Sequence, residues 1–136
     1  MQSFWDISYV ETVSFYVVAV ISILLSLAVF ELVTSYSNWE QIRKGNLSVA
    51  MATGGKVFGI ANIFRFSIAH NDTVWQALQW SGLGLLLLLA AYFIFEFLTP
   101  HFKVDQQLEK DNRAVGLIAM CLSIGTSFVI GASIMV

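Results

Sequence analysis

The residues best suited to chemistry in this sequence are five charged or amide side chains set into apolar stretches: Glu31, Lys56, Asn62, Arg65 and Glu96. A Lys or Asp at the centre of a bilayer costs about 2.5–3.5 kcal/mol on an insertion scale, so such a residue needs a partner and is a functional hypothesis by default. Lys56 lies ten residues past Asn46, which is about 15 Å along a helix. Glu31 and Glu96, each about one turn from the end of an apolar stretch, are its expected partners. Two readings follow. One is a charged switch or ion-linked site between two helical hairpins. The other is a snorkelling Lys beside two interfacial carboxylates.

Other reactive side chains form no constellation. Cys121 has no His or base at helical spacing and reads as a small packing residue. His70 and His101 are expected on opposite sides of the membrane, and Asp105, Glu109 and Asp111 read as a solvated loop face. No phosphate-binding glycine loop, catalytic triad or zinc spacing occurs. The expectation is a protein that is not an enzyme, with no metal and no cofactor.

The elements that carry these residues follow from composition. The chain has 136 residues, 57% hydrophobic and 12% charged, with a mean hydropathy of +0.75. Soluble domains carry about 25% charged residues, so the solvent for most of this chain is lipid. A single Cys excludes a disulfide framework. The net charge of −2 and the lack of a basic stripe argue against nucleic acid. No Lys or Arg precedes the first apolar run, so that run is expected to stay as a span rather than act as a signal peptide.

A spanning helix needs about 20 mostly apolar residues, and residues 12–33, 47–68, 73–98 and 114–136 qualify. The predicted fold is an all-α integral membrane domain over residues 1–136, with four transmembrane helices arranged as two parallel-repeat hairpins. Arg43 and Lys44 lie in the first inter-span loop, and Lys103, Lys110 and Arg113 in the second. The turn at Asn71 has neither Lys nor Arg, and the N-terminal segment carries Asp6 and Glu11. The positive-inside rule then puts both basic loops in the cytoplasm and both termini outside. Trp5, Tyr9 and Trp75 fit an outer aromatic belt, and Tyr36, Trp39 and Phe102 an inner one.

Both loops read as short interfacial helices. Ser37 and Glu40 have capping-box spacing, and Gly45 suits a left-handed helix end. Pro100 suits the first turn of the second loop helix, whose Val104 and Leu108 would face the bilayer or the bundle. Trp39, Arg43, Lys44, Phe102, Lys103 and Lys110 are candidates for docking a cytoplasmic or membrane protein partner.

Phe30-Glu31-Leu32-Val33-Thr34 matches Phe95-Glu96-Phe97-Leu98-Thr99 at an offset of 65. Gln41, Lys44, Asn46, Val49 and Gly59 match Gln107, Lys110, Asn112, Val115 and Gly125 at an offset of 66. The alignment of polar residues predicts a duplication, with repeat one over about residues 12–68 and repeat two over about residues 73–136. Each copy holds two spans, so both enter the membrane in the same direction.

Small residues recur four apart. The second span offers Ser48, Ala52, Gly55, Gly59, Asn62 and Arg65 along one face, and the fourth offers Cys121-x-x-x-Gly125 and Ser127-x-x-x-Gly131. Such faces let helix backbones approach closely, within the bundle or between subunits. The sharper alternative is a polar cavity lined by spans two and four.

The pattern Thr34…Trp39-Glu40-Gln41-Ile42-x-x-Gly45-Asn46-x-x-x-Ala50, then Gly54-Gly55-x-x-x-Gly59, resembles the YjfL-like family of small bacterial inner-membrane proteins. Asn112-Arg113-Ala114-x-Gly116 is similar to its weaker second motif, while Lys56 and Arg65 fall outside the pattern. The resemblance implies four spans, a duplicated hairpin and a plasma-membrane location, and brings no activity. The expected function is an oligomeric structural or interaction module in the lipid bilayer. The alternative is a minimal transporter or channel subunit using Lys56 with Glu31 and Glu96.

Overall fold

The computed structural model describes residues 4–34, 36–70, 73–98 and 103–134, with side chains from Tyr9 to Glu96 and from Lys103 to Ile134 within those ranges. Six helices occur among them: α1 (Phe4–Val33), α2 (Asn38–Arg43), α3 (Leu47–His70), α4 (Val74–Leu98), α5 (Val104–Glu109) and α6 (Arg113–Ile134). Helices α1, α3, α4 and α6 each contain a stretch long and apolar enough to cross a membrane. The all-α, four-span architecture expected from the sequence is therefore the observed one. Helix α1 starts earlier than the expected residue 12, because no Gly or Pro interrupts the chain after Phe4. Phe102, His101 and the Thr99-Pro100 start signal lie outside the described residues, as does the Trp5 ring.

Helices α3 and α6 form the centre of the bundle, and glycine sets how closely they meet. A Cβ on Gly55 would lie 2.7 Å from the Met120 Cα, and one on Gly116 would lie 2.7 Å from the Ser48 Cα. On Gly59 it would lie 3.1 Å from the Ser123 carbonyl oxygen, and on Gly131 it would overlap the Phe66 ring. Of the small-residue face expected on the second span, Ser48, Gly55, Gly59 and Asn62 meet α6 where a polar cavity was the alternative, and Arg65 lies off it on the exposed side. Asn62 crosses the same seam, its Nδ2 donating to Ser127 Oγ at 3.0 Å.

Two of the expected packing residues lie outside the α3–α6 seam. Cys121 is exposed, and nothing lies within 4 Å of a Cβ placed on Gly125. Both sit on the outward face of α6, because the face that meets α3 carries Gly116, Met120, Ser123 and Ser127 instead. Gly84 on α4 does pack, its Cβ position lying 2.6 Å from the Ile63 methyl. Its apolar surroundings hid it from a search for small-residue spacing.

An apolar cluster of Phe30, Ile60, Ile63, Phe64, Leu88, Ile130 and Ile134 fills the middle of the bundle. A second cluster, with Tyr36, Val49, Ala52 and Ala119, seats α5 through its fully buried Val104 and Leu108. Loop helix α5 thus faces the bundle rather than the bilayer.

Both loops end in the same hydrogen-bonded motif. In the first, Gly45 N donates to Ile42 O at 2.9 Å and Asn46 N to Gln41 O at 3.0 Å, with Gly45 at φ +87°. In the second, Asp111 N donates to Leu108 O at 3.0 Å and Asn112 N to Gln107 O at 2.9 Å, with Asp111 at φ +61°. These are Schellman helix ends, and Asp tolerates the left-handed position better than most non-glycine residues. The next residue then starts the following span. Asn46 Oδ1 accepts from Val49 N at 3.0 Å, and Asn112 Oδ1 from Val115 N at 3.4 Å.

The steric argument gives an expected outcome. Gly55→Ala and Gly116→Ala should each destabilise the fold by about 1–3 kcal/mol, the usual cost of overpacking. Gly125→Ala should be neutral or slightly stabilising, since Ala is the better helix former. Equilibrium unfolding of the three variants in one detergent checks the ranking.

Candidate functional site

Lys56 lies on the flank of the glycine seam of α3 and is 2% exposed. Its Nζ lies 4.9 Å from the centre of the Phe30 ring and 5.0 Å from that of Tyr92. The two rings meet edge to face at 6.2 Å. The ammonium thus faces two aromatic quadrupoles, each contact worth from about 0.5 to 2 kcal/mol as water is excluded.

The expected ion pair with Glu31 or Glu96 does not form. Among the described residues Lys56 Nζ has no hydrogen-bond partner, and the ion pairs within 4.0 Å are Arg43–Glu40, Lys44–Glu40 and Arg113–Asp111. The reason is that both glutamates hold loop helices. Glu31 accepts the Asn38 backbone N–H at 3.1 Å on each of its oxygens, and it also accepts Asn38 Nδ2. Asn38 is the first residue of α2. Glu96 accepts backbone hydrogen bonds from Val104 and Asp105, at the start of α5. Helix N-termini present unsatisfied N–H groups and a partial positive charge, so a carboxylate is well placed there.

Tyr92 reaches past Lys56 to donate its hydroxyl to Asp105. Asp105 is therefore tied to the bundle and is not the solvated loop residue expected from the sequence. Asp111 is likewise engaged, accepting from Ser48 N at 2.9 Å and Ser48 Oγ at 3.0 Å. Asn46 Nδ2 returns the contact, donating to Leu108 O at 2.9 Å and Glu109 O at 3.1 Å. The two loops are thereby fastened to each other on one side of the bundle.

Asn62 and Arg65 belong elsewhere. Arg65 Nε donates to Asn62 Oδ1 at 3.2 Å, and the guanidinium lies 4.4 Å from the Phe66 ring centre on the exposed side of α3. Nine residues separate Lys56 from Arg65, about 13 Å along the helix axis. The five-residue polar cluster expected from the sequence is therefore split, with Lys56 and Glu31 in one group, Asn62 and Arg65 in another, and Glu96 apart at the start of α5.

One void adjoins Lys56 and a second cavity lies beyond the rings that hold it. A void of about 10 Å³ has Glu31, Asn38, Thr53 and Lys56 as its polar walls and Leu27, Phe30 and Trp39 as the others. A wider, apolar cavity of about 270 Å³ lies between α4 and α6, with Leu88, Phe95, Ala119 and Leu122 among its walls. Phe30 and Tyr92 separate Lys56 from it. Phe30, Tyr92, Thr53 and Asn38 were not singled out as site residues. Thr53 and Lys56, three apart on one helix, were the available signal.

On the loop surface, Trp39 is 58% exposed beside exposed Arg43 and Lys44, and Arg43 pairs with Glu40 at 2.9 Å. That pairing draws the Glu40 side chain away from the expected reciprocal capping box, although Ser37 Oγ accepts Glu40 N at 3.4 Å. Lys103 and Lys110 are exposed, and Phe102 is outside the described residues. No group of three or more His, Cys, Asp or Glu side chains able to hold a metal occurs among the described residues.

The family described as Domain of Unknown Function (DUF350) matches residues 4–134. The UPF0719 transmembrane protein YshE of Bacillus subtilis (strain 168) is 55% identical over 134 residues, covering 98% of this chain and 100% of that protein. No solved structure matches.

The Asp111 contact carries a pH dependence. Hydrogen bonds from Ser48 hold the Asp111 carboxyl below its ordinary value of 3.8. A depressed carboxylate contributes stability that is present above its unfolded value and lost as pH falls through the folded one. Below about pH 4 the Ser48 amide is therefore expected to lose protection from hydrogen exchange. In Asp111→Asn that acid-dependent step should be absent.

Proposed function

This chain belongs to the DUF350 family, which is described by no activity, and from that premise we propose that it is a non-enzymatic, homo-oligomeric interaction module of the bacterial plasma membrane. In this reading the YjfL-like proteins fall in the same group. Two duplicated hairpins enter the bilayer in the same direction, with both termini outside and both basic loops in the cytoplasm. The duplication is supported by paired features at matching offsets: the Schellman ends at Gly45 and Asp111, the Asn46 and Asn112 caps, and the Glu31 and Glu96 carboxylates at the loop helices. The orientation rests on Arg43, Lys44, Lys103, Lys110 and Arg113.

The observation that carries the oligomer is the two-faced character of α6. One face is locked against α3, while the opposite face presents exposed Cys121 and, four residues on, open Gly125. Small residues four apart on a lipid-facing helix permit close pairing with a second copy. Exposed Trp39 with Arg43 and Lys44 would then dock the partner protein on the cytoplasmic side. Cys121 is the sole cysteine, which supplies the test. Mild oxidation of membranes should give a covalent dimer, since a disulfide needs Cα atoms within about 7 Å. Gly125→Leu should abolish that dimer while leaving the monomer folded. A wild-type protein that stays monomeric in bilayers and never cross-links overturns the reading.

A second reading is favoured by one specific observation, the burial of Lys56 beside Glu31. This is the minimal transporter or channel subunit using Lys56 with Glu31 and Glu96. Against it stand the closed α3–α6 seam and the distance from Lys56 to the Asn62–Arg65 group. Ion flux into proteoliposomes that disappears in Lys56→Leu, with assembly intact, would decide for transport.

A further inference from the structure

Three buried polar atoms have no hydrogen-bond partner among the described residues and belong to walls of one void: Lys56 Nζ, Thr53 Oγ1 and Asn38 Oδ1. Their residues are 2%, 8% and 5% exposed. Leaving such groups unmatched costs about 1–3 kcal/mol each, and more for an ion. The void of about 10 Å³ is close to the one-sphere volume that a single water needs, about 10–15 Å³. The three atoms are also complementary in kind. An ammonium donates, an amide oxygen accepts and a hydroxyl does either. One water can accept from Lys56 and donate to Asn38, with Thr53 as its third partner.

We propose that this void is a proton-binding site in which one water joins Lys56 to Asn38 and Glu31, and that the charge on Lys56 sets how firmly α2 is held to the bundle. Glu31 forms the fourth polar wall and accepts both the Asn38 backbone N–H and Asn38 Nδ2. While Lys56 carries its proton, the Glu31 carboxylate is balanced across the water. On release, an Nζ–H bond breaks and the proton leaves through the water to solvent, so a neutral amine remains beside a Glu31 carboxylate without its counter-charge. A buried charge that has lost its partner is costly, and opening α2 to let water reach Glu31 relieves that cost, so the hold on α2 weakens.

The charges around the site come from several helices. Glu31 faces it from α1, and the Tyr92 phenol and Glu96 lie on α4. Asp105 approaches from α5 through Tyr92. On α2 the walls are uncharged Asn38 and Trp39, with Glu40 turned outward to Arg43. Lys56 is the sole cationic wall of the void.

The test uses the full chain in lipid bilayers, labelled with ¹⁵N-lysine. The Lys56 Nζ signal, assigned by its loss in Lys56→Arg, reports its protonation across pH. Hydrogen exchange of the α2 amides, corrected for the intrinsic pH dependence, reports the hold on that helix. The expected result is that α2 protection falls as pH rises, with the same midpoint as Lys56 deprotonation. Thr53→Val removes a partner of the water and leaves Glu31 and Asn38 in place, so it should shift both midpoints down together by about one pH unit. The proposal is overturned if Lys56 does not titrate while the protein stays folded, or if α2 protection ignores its titration. It is equally overturned if a folded Thr53→Val leaves both midpoints unmoved. Should that variant fail to fold, the two wild-type midpoints decide alone.

Discussion

Where α3 meets α6 the two backbones touch directly, and most of the structure is a consequence. Lipid tails are as apolar as Leu, so burying apolar surface gives helices in a bilayer little reason to associate. Close backbone contact and hydrogen bonds must do so instead. Gly55, Gly59 and Gly116 allow the contact, and Asn62 with Ser127 supplies a hydrogen bond across it. The same contact leaves no room for a large residue on that side of α3. The long side chain of Lys56 therefore projects toward α1 and α4, where Phe30 and Tyr92 receive it.

The seam also brings the two loops within reach of each other. With Gly116 seated on Ser48, the start of α3 lies beside the end of α5. Asp111 can then cap Ser48, and Asn46 can satisfy the last carbonyls of α5. Helices as short as α2 and α5 would not persist alone in water, because nucleation is costly. Carboxylates at their N-termini, left-handed residues at their C-termini and the buried Val104 and Leu108 hold them. Tyr36, buried among these groups, has its phenol pushed above the usual range by burial, and by Asp105 and Glu109 after that.

Much of this was legible in the sequence. The four spans, the loop helices, Gly45 as a helix end and the small-residue face of α3 all follow from hydropathy, turn chemistry and spacing read locally. The site was legible only in its members. Lys56 and Glu31 do wall one void, but their mode of contact depends on which helix faces which, and no local pattern encodes that. Asp105 and Asp111 misled for the same reason. In sequence an acidic loop residue is solvated by default, whereas here one accepts from Tyr92 of α4 and the other from Ser48 of α3. Cys121 and Gly125 have the right spacing for packing, yet a helix has several faces and spacing alone does not say which one meets a neighbour.

The absence of a direct Lys56–carboxylate bridge bears on what the site can do. A buried ion pair in contact is held by strong attraction in a low-dielectric interior, and breaking it by removing one partner costs about 3–5 kcal/mol. Such a pair keeps its charge state over a wide range of conditions. A cation held by ring faces gains about 2 kcal/mol or more per desolvated contact, without a counter-charge in contact with it. Two rings receive the ammonium with no hydrogen-bond partner in contact among the described residues. Glu31, meanwhile, spends its strongest hydrogen bonds on the first residue of α2. Lys56 and the first residue of α2 thus wall one void together with that carboxylate.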